Sequence, residues 1–119
     1  AKLTLVYVNE LAVMLPEYLP EMAMATTLDI ATGAQRTLED LAKSIEGVDV
    51  DVMVRTGVHH SEIIAASKEL EADMIVLPTH GRSGISHALF GSVAERVVRN
   101  AKCPVLTVRP KAFAETARA

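Results

Sequence analysis

Glycine and hydroxyl side chains recur between two apolar runs in the second half of the chain. Gly81 and Gly84 lie in a polar segment, and nine residues separate Gly81 from Gly91, which Ser92 follows directly. Ser92 is a natural N-cap for a helix that begins there. Unpaired backbone N–H groups and the positive end of the helix dipole would then converge beside the glycines. The pattern predicts a loop that binds phosphate.

Each of these residues also has a purely structural interpretation. The glycines could serve a tight loop, and Ser92 could do no more than cap the helix. Arg82 could pair with phosphate oxygens or remain a solvated loop arginine. Thr79 and His80 could position a ligand, although a hydrogen bond that holds the loop is the simpler role for them.

Two short apolar runs flank this segment and are predicted to be buried strands. Residues 74–77 form the first run, which ends at Pro78, and Val105–Val108 forms the second. Continuous apolar runs of this length are typical of strands that are buried on both faces. The helix between them is predicted to present its valines to the core: Val93, Val97 and Val98.

The rest of the chain alternates between strand and helix patterns. Residues 2–8 predict a buried strand, and residues 48–54 predict an edge strand. A loop followed by a long amphipathic helix from about residue 21 separates these strands, and Gly47 can end that helix. A further helix is predicted over residues 60–70, with Ile63, Ile64, Ala66 and Leu70 facing the sheet.

This order predicts an α/β fold in which an open parallel sheet carries helices on both faces. Ligands of such sheets bind beyond the carboxyl ends of the strands, where the strand order reverses. Val8 and Leu77 both lie at carboxyl ends. We therefore expect them to border one ligand-binding crevice.

Other kinds of chemistry have little support. His59, His60 and His87 have no cysteine or carboxylate at metal-ligand spacing, so we predict no metal site. The chain has no nucleophile–base pair, and its Gly-Arg-Ser-Gly segment lacks the lysine of a Walker A loop. Cys103 is interpreted as a small apolar residue, with a reactive thiol as the alternative.

The composition limits the class of protein. A chain of 119 residues fits one domain, which we place at residues 1–110 with a tail over residues 111–119. A net charge of −3 gives no basic surface for nucleic acid. No apolar run reaches the roughly 20 residues that a membrane helix needs. The single cysteine fits a reducing, cytoplasmic location.

The segment from residue 73 to Val108 resembles the C-terminal signature of the universal stress protein family. Its ATP-binding branch carries Gly, two residues, Gly, nine residues, and then Gly-Ser or Gly-Thr. Gly81 and Gly91-Ser92 match this spacing, whereas Pro78 stands at the position of the first glycine. The run GSVAERVVRNAKCPVLTV is close to family type over its whole length.

The resemblance implies a Rossmann-like fold, similar to the adenine nucleotide alpha-hydrolases, with strand order 3-2-1-4-5. The first β-α unit of that order has no counterpart here, and the missing strand would be the central one. We expect either a further segment before residue 1 or a rearranged sheet. An aspartate that precedes the second strand in relatives is also without a counterpart, which affects recognition of the ribose.

The implied ligand is ATP or AMP, with or without Mg²⁺. Val8 and Leu77 would contact the adenine, and the ribose and phosphates would contact residues of the loop and helix. The predicted nucleotide-binding set is Val8, Leu77, Pro78, Gly81, Arg82, Gly84, Gly91, Ser92 and Val93. Pro78 lacks a backbone N–H and would weaken binding if the family glycine supplies close backbone approach.

The resemblance also implies a homodimer that pairs Val105–Val108 with the same strand of a second copy. An exposed, uncharged edge strand would favour such pairing. The leading functional hypothesis is therefore a dimeric stress-response or signalling module that binds ATP or AMP. The alternatives are a nucleotide-independent dimerisation or interaction module and a slow ATPase.

Overall fold

The computed structural model describes residues 1–10, 20–79 and 91–109, with side chains of the first helix described from residue 25. The strands are β1 (Lys2–Asn9), β2 (Asp49–Thr56), β3 (Ile75–Pro78) and β4 (Val105–Val108). The helices are α1 (Pro20–Ser44), α2 (His59–Glu69) and α3 (Ser92–Asn100). Gly81, Arg82 and Gly84 of the predicted site, and the predicted tail after residue 110, lie outside the described residues.

The described strands form two parallel pairs. β1 pairs with β2, from Lys2 opposite Asp49 to Asn9 opposite Thr56, and β3 pairs with β4. These are the pairs that the order 3-2-1-4-5 leaves when its central strand is omitted. Parallel strands joined through helices confirm the predicted α/β class.

The chain divides into two compact units, Ala1–Glu62 and Ile63–Ala119, and the boundary falls within α2. In the first unit, α1 packs against β1 and β2. The helix begins one residue before the predicted start, and Gly47 follows its end with a positive φ of 87°. Lys2 and Asp51 pair at 2.8 Å at the amino ends of the strands, and this hydrogen bond raises the pKa of Lys2.

The second unit has a small apolar core between β3 and α3. Its buried members are Ile75, Leu77, Ala94 and Val97. Cys103 packs against this cluster, as its interpretation as an apolar residue predicted. Val97 is completely buried, whereas Val98 is 46% exposed, so the prediction that Val98 faces the core is wrong. One helical residue rotates a side chain by about 100°, which turns Val98 away from β3.

The prediction that the strands are buried on both faces is also wrong for the described residues. Along β3, Ile75 and Leu77 are 8% exposed, whereas Val76 is 57% exposed. β4 alternates in the same way, with Leu106 exposed, and on β1 Leu3 and Val6 are exposed. In the described second unit, the core elements cover one face of the strands only, so alternate apolar residues meet solvent. At the end of α2, Leu70 is exposed too, and Ala66 and Ser67 are the buried residues.

Candidate functional site at the carboxyl end of strand β3

A backbone hydrogen bond links the carboxyl end of β3 to the residue before α3. Gly91 N donates a hydrogen bond to the carbonyl oxygen of Thr79, the residue after β3. Thr79 N in turn donates to Val108 O at 3.0 Å and extends the pairing with β4. The Thr79 backbone thus links the two described ends of this connection, and His80, for which the same role was predicted, lies outside the described residues.

The N-cap of α3 is Gly91 rather than the predicted Ser92. Gly91 has extended dihedral angles (φ −71°, ψ 156°), and its carbonyl oxygen accepts the first helical hydrogen bond from Glu95 N at 3.0 Å. Ser92 is already helical, and no side chain caps this end. A serine at the first helical position cannot reach the amides of the next turn as an N-cap serine does.

Three backbone N–H groups at this helix end have no acceptor among the described residues: those of Ser92, Val93 and Ala94. The first N–H groups of any helix lack a partner within the helix, and the dipole makes this end positive. Ser92 is exposed, Val93 is half-buried and Ala94 is buried. The arrangement offers donors for a small anion, with the Ser92 hydroxyl beside them.

An acidic side chain lies near these N–H groups, and a basic side chain on the same helix pairs with it. Glu95 lies in the first turn of α3, where its negative charge would disfavour a bound anion. Its carboxylate is held by Arg99 one turn later, at 2.8 Å between Oε1 and Nη2. Both side chains are at least half exposed, so solvent further screens the Glu95 charge.

Pro78 is the last residue of β3 and leaves its pairing with β4 intact. Ile75 N donates to Pro104 O and Thr79 N donates to Val108 O, so the odd-numbered residues of β3 donate towards β4. The nitrogen of Pro78 points to the opposite side, where proline is tolerated in a strand. Pro78 therefore costs β3 no hydrogen bond to β4, but it removes a donor from the other edge.

The predicted site residues fall into three groups. The second unit brings together Leu77, Pro78, Gly91, Ser92 and Val93. The Leu77 side chain is part of the core, so only its backbone is available at the strand end. Val8 lies in the first unit at the end of β1, where it is 7% exposed. Gly81, Arg82 and Gly84 are not among the described residues.

Sequence reasoning missed polar groups at the carboxyl end of β1. Asn9 was assigned to a loop but is the last residue of the strand, only 2% exposed. Glu10 follows it and accepts a hydrogen bond from His59 N at 3.0 Å. The extension of the apolar pattern of β1 up to Val8 could have indicated that the next residue also belongs to the strand.

The described residues contain no group of three or more histidine, cysteine or acidic side chains that could hold a metal ion. His59 instead lies 3.5 Å from Glu10, measured from Nδ1 to Oε2. Within the described helices, none is long and apolar enough to cross a membrane.

Comparison with known proteins identifies the family. The model of the universal stress protein family matches residues 1–109. The chain belongs to the universal stress protein family. Universal stress protein MJ0531 of Methanocaldococcus jannaschii is 42% identical over 77 residues, which cover 63% of this chain and 45% of that protein. Universal stress protein MJ0577 of the same organism is 31% identical over 80 residues, covering 66% of this chain and 49% of that protein. This family member thus aligns with about half the length of these curated relatives.

Solved structures of universal stress proteins share the fold. The structure of MJ0577 superposes with a TM-score of 0.79 at 25% identity, covering 91% of this chain and 75% of that one. A universal stress protein crystallised in complex with cAMP gives a TM-score of 0.61 at 25% identity, covering 92% and 74% of the two chains. These likenesses agree with the parallel α/β architecture of the described residues.

Proposed function

We propose that this universal stress protein binds an adenine nucleotide, ATP or AMP, and acts as a dimeric stress-response or signalling module. The observation that carries the proposal is the set of backbone amides of Ser92, Val93 and Ala94 at the start of α3, which have no acceptor in the described part of the chain. They lie where β3 ends, which is the usual ligand edge of a parallel sheet. The related structure in complex with cAMP supports an adenine nucleotide as the ligand class.

The phosphates would bind at the start of α3 without any covalent step. Backbone N–H groups and the helix dipole stabilise negative charge, and the Ser92 hydroxyl adds one donor. Gly91 would not donate to the phosphates, because its N–H is already bonded to Thr79 O. Its lack of a side chain would instead let the phosphates come close to the helix end. Gly81, Arg82 and Gly84 belong to the connection between Thr79 and Gly91, and we propose that they contact the phosphates and ribose.

The adenine would contact the backbone at the strand ends. In the second unit the adenine would lie against Leu77 and Pro78. Its contact with Val8 of the first unit remains a prediction from the family resemblance. Recognition by apolar strand ends and backbone groups requires no catalytic residue. The cytoplasmic location likewise remains a prediction.

The experiment is to denature the purified protein and to identify any released adenine nucleotide by absorbance and chromatography. Wild type is expected to release it, and Gly91→Val is expected to release none because a branched side chain would fill the approach to the helix end. The φ of −71° at Gly91 suits any residue, so this substitution does not strain the backbone. Gly33→Ala is the matched control, since a Cβ at Gly33 meets nothing within 4 Å.

Ser92→Ala tests the hydroxyl separately. It keeps all three amides and removes one hydrogen bond to phosphate, so affinity for added ATP should fall by roughly 2- to 10-fold. Calorimetric titration of the nucleotide-free protein measures this change. Unaltered affinity would remove the hydroxyl from the proposed site.

A second candidate is a nucleotide-independent dimerisation or interaction module. Two observations favour it: Pro78 provides no N–H, and the Gly91 N–H is already used within the chain. It predicts that no nucleotide is released from wild type and that ATP causes no thermal shift. Release of nucleotide from wild type, or a rise in its melting temperature on addition of ATP, would support the leading proposal instead.

A further inference from the structure

Strand β2 places an oxidisable sulfur beside a charged hydrogen-bond donor. Arg55 Nη1 donates a long hydrogen bond to Met53 Sδ at 3.8 Å. The two residues are separated by one position in the strand, so their side chains lie on the same face of it. Both residues are partly buried, and both belong to the first unit. A thioether is a weak acceptor, so the contact uses little of the donor strength of the guanidinium.

An acidic side chain of the same unit fixes the position of Arg55. Arg55 Nε donates to Glu62 Oε1 at 2.8 Å, and the two side chains are only 19% and 26% exposed. The ion pair uses Nε, whereas the contact with Met53 uses Nη1. A change at the sulfur can therefore strengthen its bond to Arg55 while the pair with Glu62 is kept.

The neighbours of Met53 on the paired strand are apolar. Met53 is in register with Val6 of β1, and Arg55 is in register with Val8, which is 7% exposed. Paired residues of adjacent strands share a face of the sheet. An oxygen atom added to the sulfur would cost free energy in such surroundings unless a donor satisfied it. Arg55 supplies a charged donor, which forms a stronger hydrogen bond than a neutral one.

We propose that Met53 is a site of reversible oxidation by hydrogen peroxide and that Arg55 binds the resulting sulfoxide. The sulfur lone pair attacks one peroxide oxygen, an S–O bond forms and the O–O bond breaks. Sulfur is oxidised and peroxide is reduced, and the proton of the transferred oxygen passes to the leaving hydroxide, which departs as water. The flexible end of the methionine side chain lets the new oxygen turn towards Arg55 Nη1. Methionine sulfoxide reductases reverse such a modification.

The modification is detected in the wild-type chain by mass spectrometry after treatment with hydrogen peroxide. Cleavage by trypsin gives a peptide of residues 44–55, which contains Met53 and no other methionine. This peptide should gain the mass of one oxygen atom. The peptide of residues 69–82 contains only Met74, which is 52% exposed and serves as the reference for an accessible thioether.

The role of Arg55 is tested in a background in which Met53 is the only methionine. The other four methionines are replaced by leucine in this background: Met14, Met22, Met24 and Met74. Melting temperatures are measured before and after peroxide, with a thiol reductant added after oxidation. Met53→Leu in the same background is the matched control, because it keeps Cys103 and so reports any effect of cysteine oxidation.

Oxidation should change the melting temperature by less than about 2 °C while Arg55 is present, because the sulfoxide then has a donor. In Arg55→Leu, oxidation should lower the melting temperature by roughly 5 °C or more, since the sulfoxide oxygen loses that donor. Arg55→Gln is a second variant in case leucine prevents folding. It should show a smaller but measurable fall on oxidation, because a neutral amide is a weaker donor than a guanidinium.

Two results would overturn the inference. An unmodified peptide of residues 44–55, under peroxide that fully oxidises Met74, would show that Met53 is not a site of oxidation. The same change in melting temperature on oxidation with arginine, leucine and glutamine at position 55 would show that Arg55 does not bind the sulfoxide. Neither measurement depends on nucleotide binding, so the inference and the proposed function are tested separately.

Discussion

Pro78 and Gly91 show how single residues determine which backbone donors remain for a ligand. Pro78 has no N–H, and the N–H of Gly91 is bonded to Thr79 O. Among the described residues, the N–H groups without an acceptor therefore begin one residue later than the glycine pattern predicts, at Ser92. At the scale of the residue, the proposed site would vary the family pattern: α3 would supply the donors, whereas Pro78 has no N–H to offer.

Replacing Pro78 tests this description. Pro78→Gly restores an N–H at the end of β3 and removes a bulky ring, so affinity for ATP should rise by roughly 2- to 10-fold. The free energy of unfolding should fall by up to about 1 kcal/mol, because glycine gains freedom in the unfolded chain. Titration calorimetry and denaturant unfolding measure the two effects.

Pro78→Ala is the matched variant, since it restores the N–H but keeps a Cβ. Tighter ATP binding by both variants would assign the effect to the restored N–H. Tighter binding by Pro78→Gly alone would assign it to closer approach of the ligand to the backbone. If neither variant binds ATP more tightly than wild type, Pro78 is not a limit on nucleotide binding.

Gly57 has a backbone geometry that strains any residue with a Cβ. Its φ is +149°, and a Cβ there would meet Glu62 Cγ and Oε2 at 2.8 Å. Glu62 also holds Arg55, so a shift of its side chain would disturb a half-buried ion pair. Gly57→Ala should lower the free energy of unfolding by about 1–3 kcal/mol, as measured by denaturant unfolding.

Gly33→Ala provides the contrast within the same unit. Gly33 lies inside α1 with open space around it, so alanine should raise the free energy of unfolding by about 0.5–1 kcal/mol. Equal effects of the two substitutions would contradict the assignment of strain to Gly57.

Helix α3 illustrates what can be predicted at the scale of an element. Its existence, the role of Val97 and its start beside Gly91 followed from the sequence. The cap did not, because serine is the more favoured N-cap by type and yet Gly91 occupies that position. The outer boundary of its apolar face did not follow from the sequence either. Val98 is as apolar as Val97, and only the packing against β3 decides which of them is buried.

Two alanine substitutions in α3 should differ sharply. Val97→Ala removes two buried methyl groups from the core and should cost about 2–3 kcal/mol of stability. Val98→Ala removes side-chain surface that is 46% exposed and should change stability by less than about 0.5 kcal/mol. Denaturant unfolding gives the free energy of unfolding of both variants. Similar losses of stability would contradict an orientation of α3 in which Val97 faces the core and Val98 faces away from it.

The strands show the same limit of sequence reasoning. All four strands were predicted within two residues at each boundary. Short runs of β-forming apolar residues bounded by turn residues are a reliable indication of a strand. Exposure was predicted wrongly, because an apolar run contains no information about which face is covered. Val76 and Leu106 are apolar but exposed among the described residues.

At the scale of the whole molecule, the family resemblance predicted the pairing of strands that are distant in sequence. Composition and periodicity predicted parallel strands with intervening helices, but they could not tell which strands are neighbours. The resemblance to universal stress proteins supplied that order, and both observed pairs agree with it. The single domain over residues 1–110 and the homodimer remain predictions.

The predicted dimer can be tested at the edge of β4 that faces away from β3. Pro104 O and Val108 O accept hydrogen bonds from the β3 side, so the N–H and C=O groups of Val105 and Thr107 point away from β3. Thr107→Pro should therefore remove a donor for a second copy and keep the pairing with β3. We expect a dimer for wild type and a monomer for Thr107→Pro in light scattering at micromolar concentration.

Thr107→Val retains the N–H and serves as the control, which should remain dimeric. A monomeric wild type, or a dimeric Thr107→Pro, would exclude association through the edge of β4.

The most direct measurement for the proposed function is a ¹H–¹⁵N NMR titration of the labelled chain with ATP. The backbone amides of Ser92, Val93 and Ala94 should show the largest shifts, in proportion to nucleotide bound, since their N–H groups would then donate to phosphate oxygens. Gly91 should shift less because its N–H stays on Thr79 O. Amide resonances at the start of α3 that do not move at saturating ATP would contradict nucleotide binding at this helix.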